Sequence, residues 1–134
     1  MARRNSSLGF FGMFGRSSDL RQLDAALRVV DLHPALVPEG VKLTIVNLMK
    51  DHWEDEPPAD AYLPLAGLFA YCVAGPEAFL RVNGEERLRD VVARIDAARE
   101  ADGSLDAQIV LLAMHSKLIN PEVVERHDLG LTPE

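Results

Sequence analysis

Residues 61–74 read AYLPLAGLFAYCVA, and this stretch decides the fold. It has no charged side chain and no polar face, so a helix drawn through it must be covered on every side. Ala66, Ala70 and Ala74 recur four apart, and Gly67 adds another small position, so neighbouring helices can approach closely. Gly75 is expected to end this helix in the left-handed αL conformation. Pro76 then opens a short helix that Asn83-Gly84 terminates. The uncharged run from Ala61 to Pro76 is 16 residues long and is interrupted by Pro64. A membrane span needs roughly 20 apolar residues, so the run reads as the centre of a soluble bundle.

Helical spacing continues in both directions. Upstream, Leu20, Leu23, Leu27 and Val30 form one stripe, with Asp19 expected as its N-cap and Gln22 returning the bond. This helix should stop near Leu32, because His33 precedes Pro34. Pro38 opens a second helix whose buried stripe is expected to be Val41, Ile45, Leu48, Met49 and Trp53, followed by the acidic loop EDEPPAD. Downstream, residues 85–100 place Leu88, Val91, Val92 and Ile95 on one face. Ser104 caps a further helix whose run from Ile109 to Met114 is again apolar and thus central. Asn120-Pro121 ends it and leaves a short helix in PEVVERHDLG.

No segment alternates with the period of two that a half-exposed strand requires, and helical spacing flanks the one strand-like stretch, TIVNLM. The expected fold is therefore all-α, a single compact bundle of about six to seven helices with two apolar central helices. The bundle occupies 18–130, preceded by a basic Phe/Gly-rich arm at 1–17 and followed by a loose terminus at 131–134. The similarity of DAALRVVD at residue 24 to DAAREAD at residue 96 is too short to indicate a duplicated hairpin.

Charge is unevenly distributed over the 134 residues. Residues 1–16 hold Arg3, Arg4 and Arg16 and no acid, a net of +3. The remainder sets 11 Lys and Arg against 21 Asp and Glu, a net of −10. Such a body repels phosphate backbones and argues against nucleic-acid binding. Cys72 is the single cysteine, so no intramolecular disulfide forms. Its apolar setting predicts a buried, inert thiol and fits a reducing cytoplasm. A secretory signal fits poorly, because polar residues and glycines break the apolar patch and no small-residue cleavage site follows. The expected location is the cytoplasm.

Candidate chemistry is sparse. In DHWEDE, His52 and Glu56 are four apart, so a continuing helix would put them on one face with Asp55 adjacent, a weak metal-ligand pattern. His115 follows a run of apolar and small residues, where a satisfied core histidine outweighs a catalytic one. His127 has Glu125 and Asp128 as trivial partners, and His33 reads as connector geometry. Neither G-x-S-x-G nor a phosphate-binding loop is present. In READGSLDAQ, residues 99–108, a calcium-loop register with Gly103 at position six would need ligation by Ala98 and Ile109, so that reading fails. The ADG-plus-helix part of this fragment resembles the helical domains of the tellurite-resistance B-like group. The group's acidic cluster has no counterpart here, so the resemblance implies no function. No metal and no cofactor is called for.

The remaining feature is LGFFGMFGR at residues 8–16. Each glycine costs a helix about 1 kcal/mol relative to alanine, so Gly9, Gly12 and Gly15 disfavour an isolated helix. Ordering the segment needs an apolar surface: a groove of its own domain, a protein partner or a second copy, or an anionic membrane surface. Burial of three phenylalanines would supply roughly 6 kcal/mol before ordering costs. Phe10, Phe11, Met13, Phe14 and Arg16 are thus the expected docking residues of a small cytoplasmic helical interaction module with no catalysis of its own. The alternative is a small-ligand or metal-binding helical protein, or an enzyme, using His115 or His52 with Glu56.

Overall fold

The computed structural model describes residues 6–53, 57–101 and 103–129, with the backbone alone over 6–17. Seven α-helices follow one another: α1 (Ser6–Val29), α2 (Glu39–His52), α3 (Tyr62–Ala74), α4 (Pro76–Asn83), α5 (Glu85–Glu100), α6 (Leu105–His115) and α7 (Pro121–Arg126). Two short 3-10 turns, Pro34–Leu36 and Ala59–Ala61, precede α2 and α3. The described residues contain no strand.

α3 is the axis of the bundle. Every side chain from Leu65 to Cys72 is buried, and Tyr62, Leu68, Phe69, Tyr71 and Cys72 are inaccessible. Fully burying one large apolar side chain contributes about 2 kcal/mol, so these residues dominate the stabilisation. The second apolar helix, α6, buries Ile109, Val110 and Ala113 but leaves Leu111 48% exposed.

The α1–α2 hairpin is held antiparallel by two ion pairs. Lys50 Nζ lies 3.0 Å from the carboxylate of Asp19, and Lys42 Nζ lies 3.1 Å from that of Asp24. Asp19 is therefore not the N-cap that its position suggests. It sits inside a helix that begins at Ser6, and its side chain is covered because a lysine on α2 neutralises it. The glycine penalty at 9, 12 and 15 opposes an isolated helix. Here the segment only extends a packed one, and extension avoids the cost of a new nucleus.

Three helices end alike. Asp31, Lys117 and Asp128 take positive φ of 65°, 64° and 55°, and the N–H after each reaches back five residues, as Leu32 does to the Leu27 carbonyl at 2.9 Å. This is the Schellman closure, formed here without glycine. The residue that follows, Leu32, Leu118 or Leu129, packs on the core in each case.

α4 is bounded by single glycines, Gly75 (φ 94°, ψ 167°) and Gly84 (φ 91°, ψ 165°). These angles lie outside αL, in a region essentially restricted to glycine. Gly75 faces Asn120, which joins two helix ends. The Asn120 N–H donates to the Cys72 carbonyl at 2.7 Å and its Nδ2 to the Ala74 carbonyl at 3.1 Å. Its Oδ1 accepts from the Glu122 N–H at 2.8 Å, capping α7. A Cβ on Gly75 would fall 2.8 Å from Asn120 Nδ2, whereas one on Gly84 meets open space. Gly84→Ala is expected to cost about 1–3 kcal/mol through backbone strain alone. Gly75→Ala should cost at least about 1 kcal/mol more by displacing Asn120. Urea unfolding of the two variants measures the difference.

Candidate functional site

An open cleft lies where the C-terminal end of α2 meets the start of α3, the end of α5 and the start of α6. It encloses about 480 Å³, walled by Met49, Leu65, Ala97, Ala98, Ala101 and Leu105. Small residues on α5 leave the room, because alanine cannot fill the space opposite Met49 and Leu65. Trp53 stands at the rim and is 40% exposed, contrary to its expected place in the buried stripe. The helix explains this: α2 ends at His52, Trp53 turns to an extended backbone (φ −101°, ψ 133°), and the stripe's register stops with it.

Polar side chains at the cleft are mostly engaged with the protein itself. Arg94 donates through Nε and Nη2 to the two carboxylate oxygens of Asp106 at 3.1 and 2.8 Å, and through Nη1 to the Pro64 carbonyl at 2.8 Å. This fork ties α5 to the first turns of α3 and α6. Ser104 Oγ accepts from the Ala107 N–H at 3.1 Å, the expected cap of α6. The cleft is thus an apolar seat with a satisfied polar edge.

The second polar feature runs from the core to the surface. Tyr71 of α3, His127 after α7 and Asp96 of α5 form a line, with 2.6 Å from Tyr71 Oη to His127 Nε2 and 3.2 Å from His127 Nδ1 to Asp96 Oδ1. Burial pushes the Tyr71 hydroxyl up to about 12, so it keeps its proton at neutral pH and can donate to Nε2. In the tautomer that accepts from Tyr71, Nδ1 carries the ring proton and donates to Asp96. Tyr71 is fully buried and His127 is 4% exposed, while the Asp96 side chain is 57% exposed, so only the carboxylate end meets solvent. Its role is to pin the C-terminal helix to α3 and α5.

His127 is the buried histidine, and His115 is not. The core face of α6 runs through Ile109 and Ala113 and next reaches Ser116, which leaves His115 exposed. His115 rims a smaller groove of about 420 Å³ with Arg99 and Asp128, one acid where an acid–base or metal site needs two. The signal for His127 was its spacing of four from Val123, which is fully buried.

His52 is exposed at the end of α2 and lines the Trp53 cleft. The helical turn on which the His52–Glu56 pairing rests does not continue past His52, and Asp55 and Glu56 lie outside the described residues. No group of three or more His, Cys, Asp or Glu able to hold a metal occurs among the described residues. None of the described helices is long and apolar enough to cross a membrane.

Of the expected docking residues, only backbone is described. Positions 10, 11, 13, 14 and 16 lie on α1. At about 100° per residue, the stripe of Leu20, Leu23 and Leu27 runs back through Arg16, Gly12 and Gly9. Positions 10, 11 and 14 fall on the opposite side of the helix axis. The innermost α1–α2 tie, Asp19 to Lys50, is two residues short of the end of α2, so α1 continues beyond its partner. No family model, no curated protein and no solved structure matches the chain.

Tyr71→Phe is expected to strand His127 Nε2 and to cost about 1–3 kcal/mol, with faster hydrogen exchange concentrated in 121–129. Burial also pushes the Cys72 thiol up to about 12 from 9.0. The unfolded chain deprotonates at lower pH than the native one, so this contribution is complete below pH 9 and is lost as pH rises towards 12. The urea midpoint should therefore fall between pH 8 and pH 10.5, and Cys72→Ala should flatten that fall relative to wild type.

Proposed function

We propose that this chain is a small helical interaction module of the cytoplasm, in which the aromatic segment at the start of α1 docks on a partner and α2–α7 provide a stiff frame. The observation that carries the reading is the course of α1. The helix passes beyond α2, and positions 10, 11 and 14 lie on the side of its axis away from the core stripe. Aromatic residues presented in this way are typical anchors at protein interfaces. The joined helix ends and the Tyr71–His127–Asp96 line make the frame rigid, and rigidity keeps the segment at the start of α1 in one geometry.

The test compares the full chain with a Phe10→Ala, Phe11→Ala, Phe14→Ala variant. The expected result is a Tm within about 4 °C of wild type, less than about 1 kcal/mol, together with loss of association in sedimentation and in pull-downs from native lysate. A large fall in Tm with unchanged association would make the segment structural and sink the reading.

A second reading, a small-ligand or metal-binding protein, draws on the 420 Å³ groove at His115 and Arg99. Stoichiometric zinc, iron or manganese in protein purified without a histidine tag would favour it.

A further inference from the structure

We infer that the partner is a second copy of this chain, and that the segment around Phe10, Phe11 and Phe14 of one copy seats in the Trp53 cleft of the other. The inference rests on the interaction reading and adds the occupant and its seat. Three observations carry it.

The first is continuity. α1 is one helix from Ser6 to Val29, and the Asp19–Lys50 pair fixes its direction against α2. A helix so held runs on past the end of α2, with positions 10, 11 and 14 on the side of its axis away from the core stripe.

The second is the chemistry of the cleft. Its walls are apolar, its Arg94, Asp106 and Ser104 are already bonded, and Trp53 is exposed at its rim. His52 at its edge is a polar side chain left without a bond, too little to hold a nucleotide or sugar, whereas bulky apolar side chains suit the walls.

The third is charge. The segment 1–16 holds three arginines and no acid, while positions 51–56, the sequence through Trp53, hold four acids. The charge of the arm sequence is thus opposite to that of the sequence around Trp53. Exchange of two arms about a two-fold axis closes the assembly. Six phenylalanines at roughly 200 Å² each bring about 1,200 Å² from the arms alone, and the clefts add a comparable area, which reaches the size of a stable interface.

The experiment uses the full chain in sedimentation velocity from about 1 to 200 μM, with the emission of Trp53, the single tryptophan, as a local probe. Wild type is expected to dimerise, with dimerisation weakened in 0.5 M salt and Trp53 emission shifting to the blue as dimer forms. Phe10→Ala with Phe14→Ala should give a monomer. So should Ala97→Trp, an exposed position on α5 that fills the cleft, and Trp53→Ala repeats that test if Ala97→Trp melts early. Mixing the phenylalanine variant with the Ala97→Trp variant should restore one arm–cleft contact and yield a heterodimer at least about 10-fold weaker than the wild-type dimer.

A wild-type chain that stays monomeric at 200 μM overturns the inference. If that monomer still captures lysate proteins through its phenylalanines, the interaction reading survives alone. A dimer that tolerates Ala97→Trp and Trp53→Ala but not the phenylalanine changes would place the arms on each other and also overturn it. Phenylalanine-dependent binding to anionic vesicles by a monomeric chain overturns it in favour of a membrane surface.

Discussion

α3 has no face that can be turned to water. From Leu65 to Cys72 each residue is covered, and a helix of that kind is stable only if the rest of the chain surrounds it. The amphipathic helices satisfy that demand. α1 and α2 form a hairpin tied by Asp19–Lys50 and Asp24–Lys42, and α5 and α6 form another tied by Arg94–Asp106. The short helices α4 and α7 serve the ends of the central one. Gly75 turns the chain sharply off α3, and Asn120 returns to cover the carbonyls that α3 leaves free. A helix end buried without such partners would cost more than its packing returns.

The polar groups of the interior are spent on this same task. Tyr71, His127 and Asp96 connect three helices, and Arg94 joins another three. Each group has partners within the protein, so the interior is stiff and offers no accessible reacting constellation among the described residues. What remains outward is shape, in the alanine-lined cleft beside Trp53, and the run of α1 past its neighbour. Both lie at the same end of α2.

The all-helical fold could be read from residue spacing because period and punctuation agreed. The uncharged run at 61–74, the prolines at 38, 76 and 121, and the cap Ser104 each mark a boundary that the backbone respects. α6, however, stops at His115, before the Asn120-Pro121 expected to end it. The errors came where tertiary partners decide. Asp19 looks like a cap because aspartate favours that place, yet Lys50, far away in sequence, gives it a buried mid-helix partner. Trp53 looks buried because its spacing continues the stripe of α2, but the helix stops one residue earlier. His115 and His127 exchange roles because a face set by Ile109 and Ala113 drifts past residue 115, while Val123 carries residue 127 inward. The cleft itself had no signature in sequence. It arises from Ala97 and Ala98 of α5 and Ala101 just beyond it, which only the packed arrangement brings opposite Met49 and Leu65.

Cys72 lies at the most enclosed level of the bundle, adjacent to Tyr71 and beneath the Asn120 N–H that closes its own carbonyl. A thiol-modifying reagent reaches this buried sulfur only when the helices that cover α3 open. As the single cysteine in the chain, Cys72 therefore provides an internal clock for those openings.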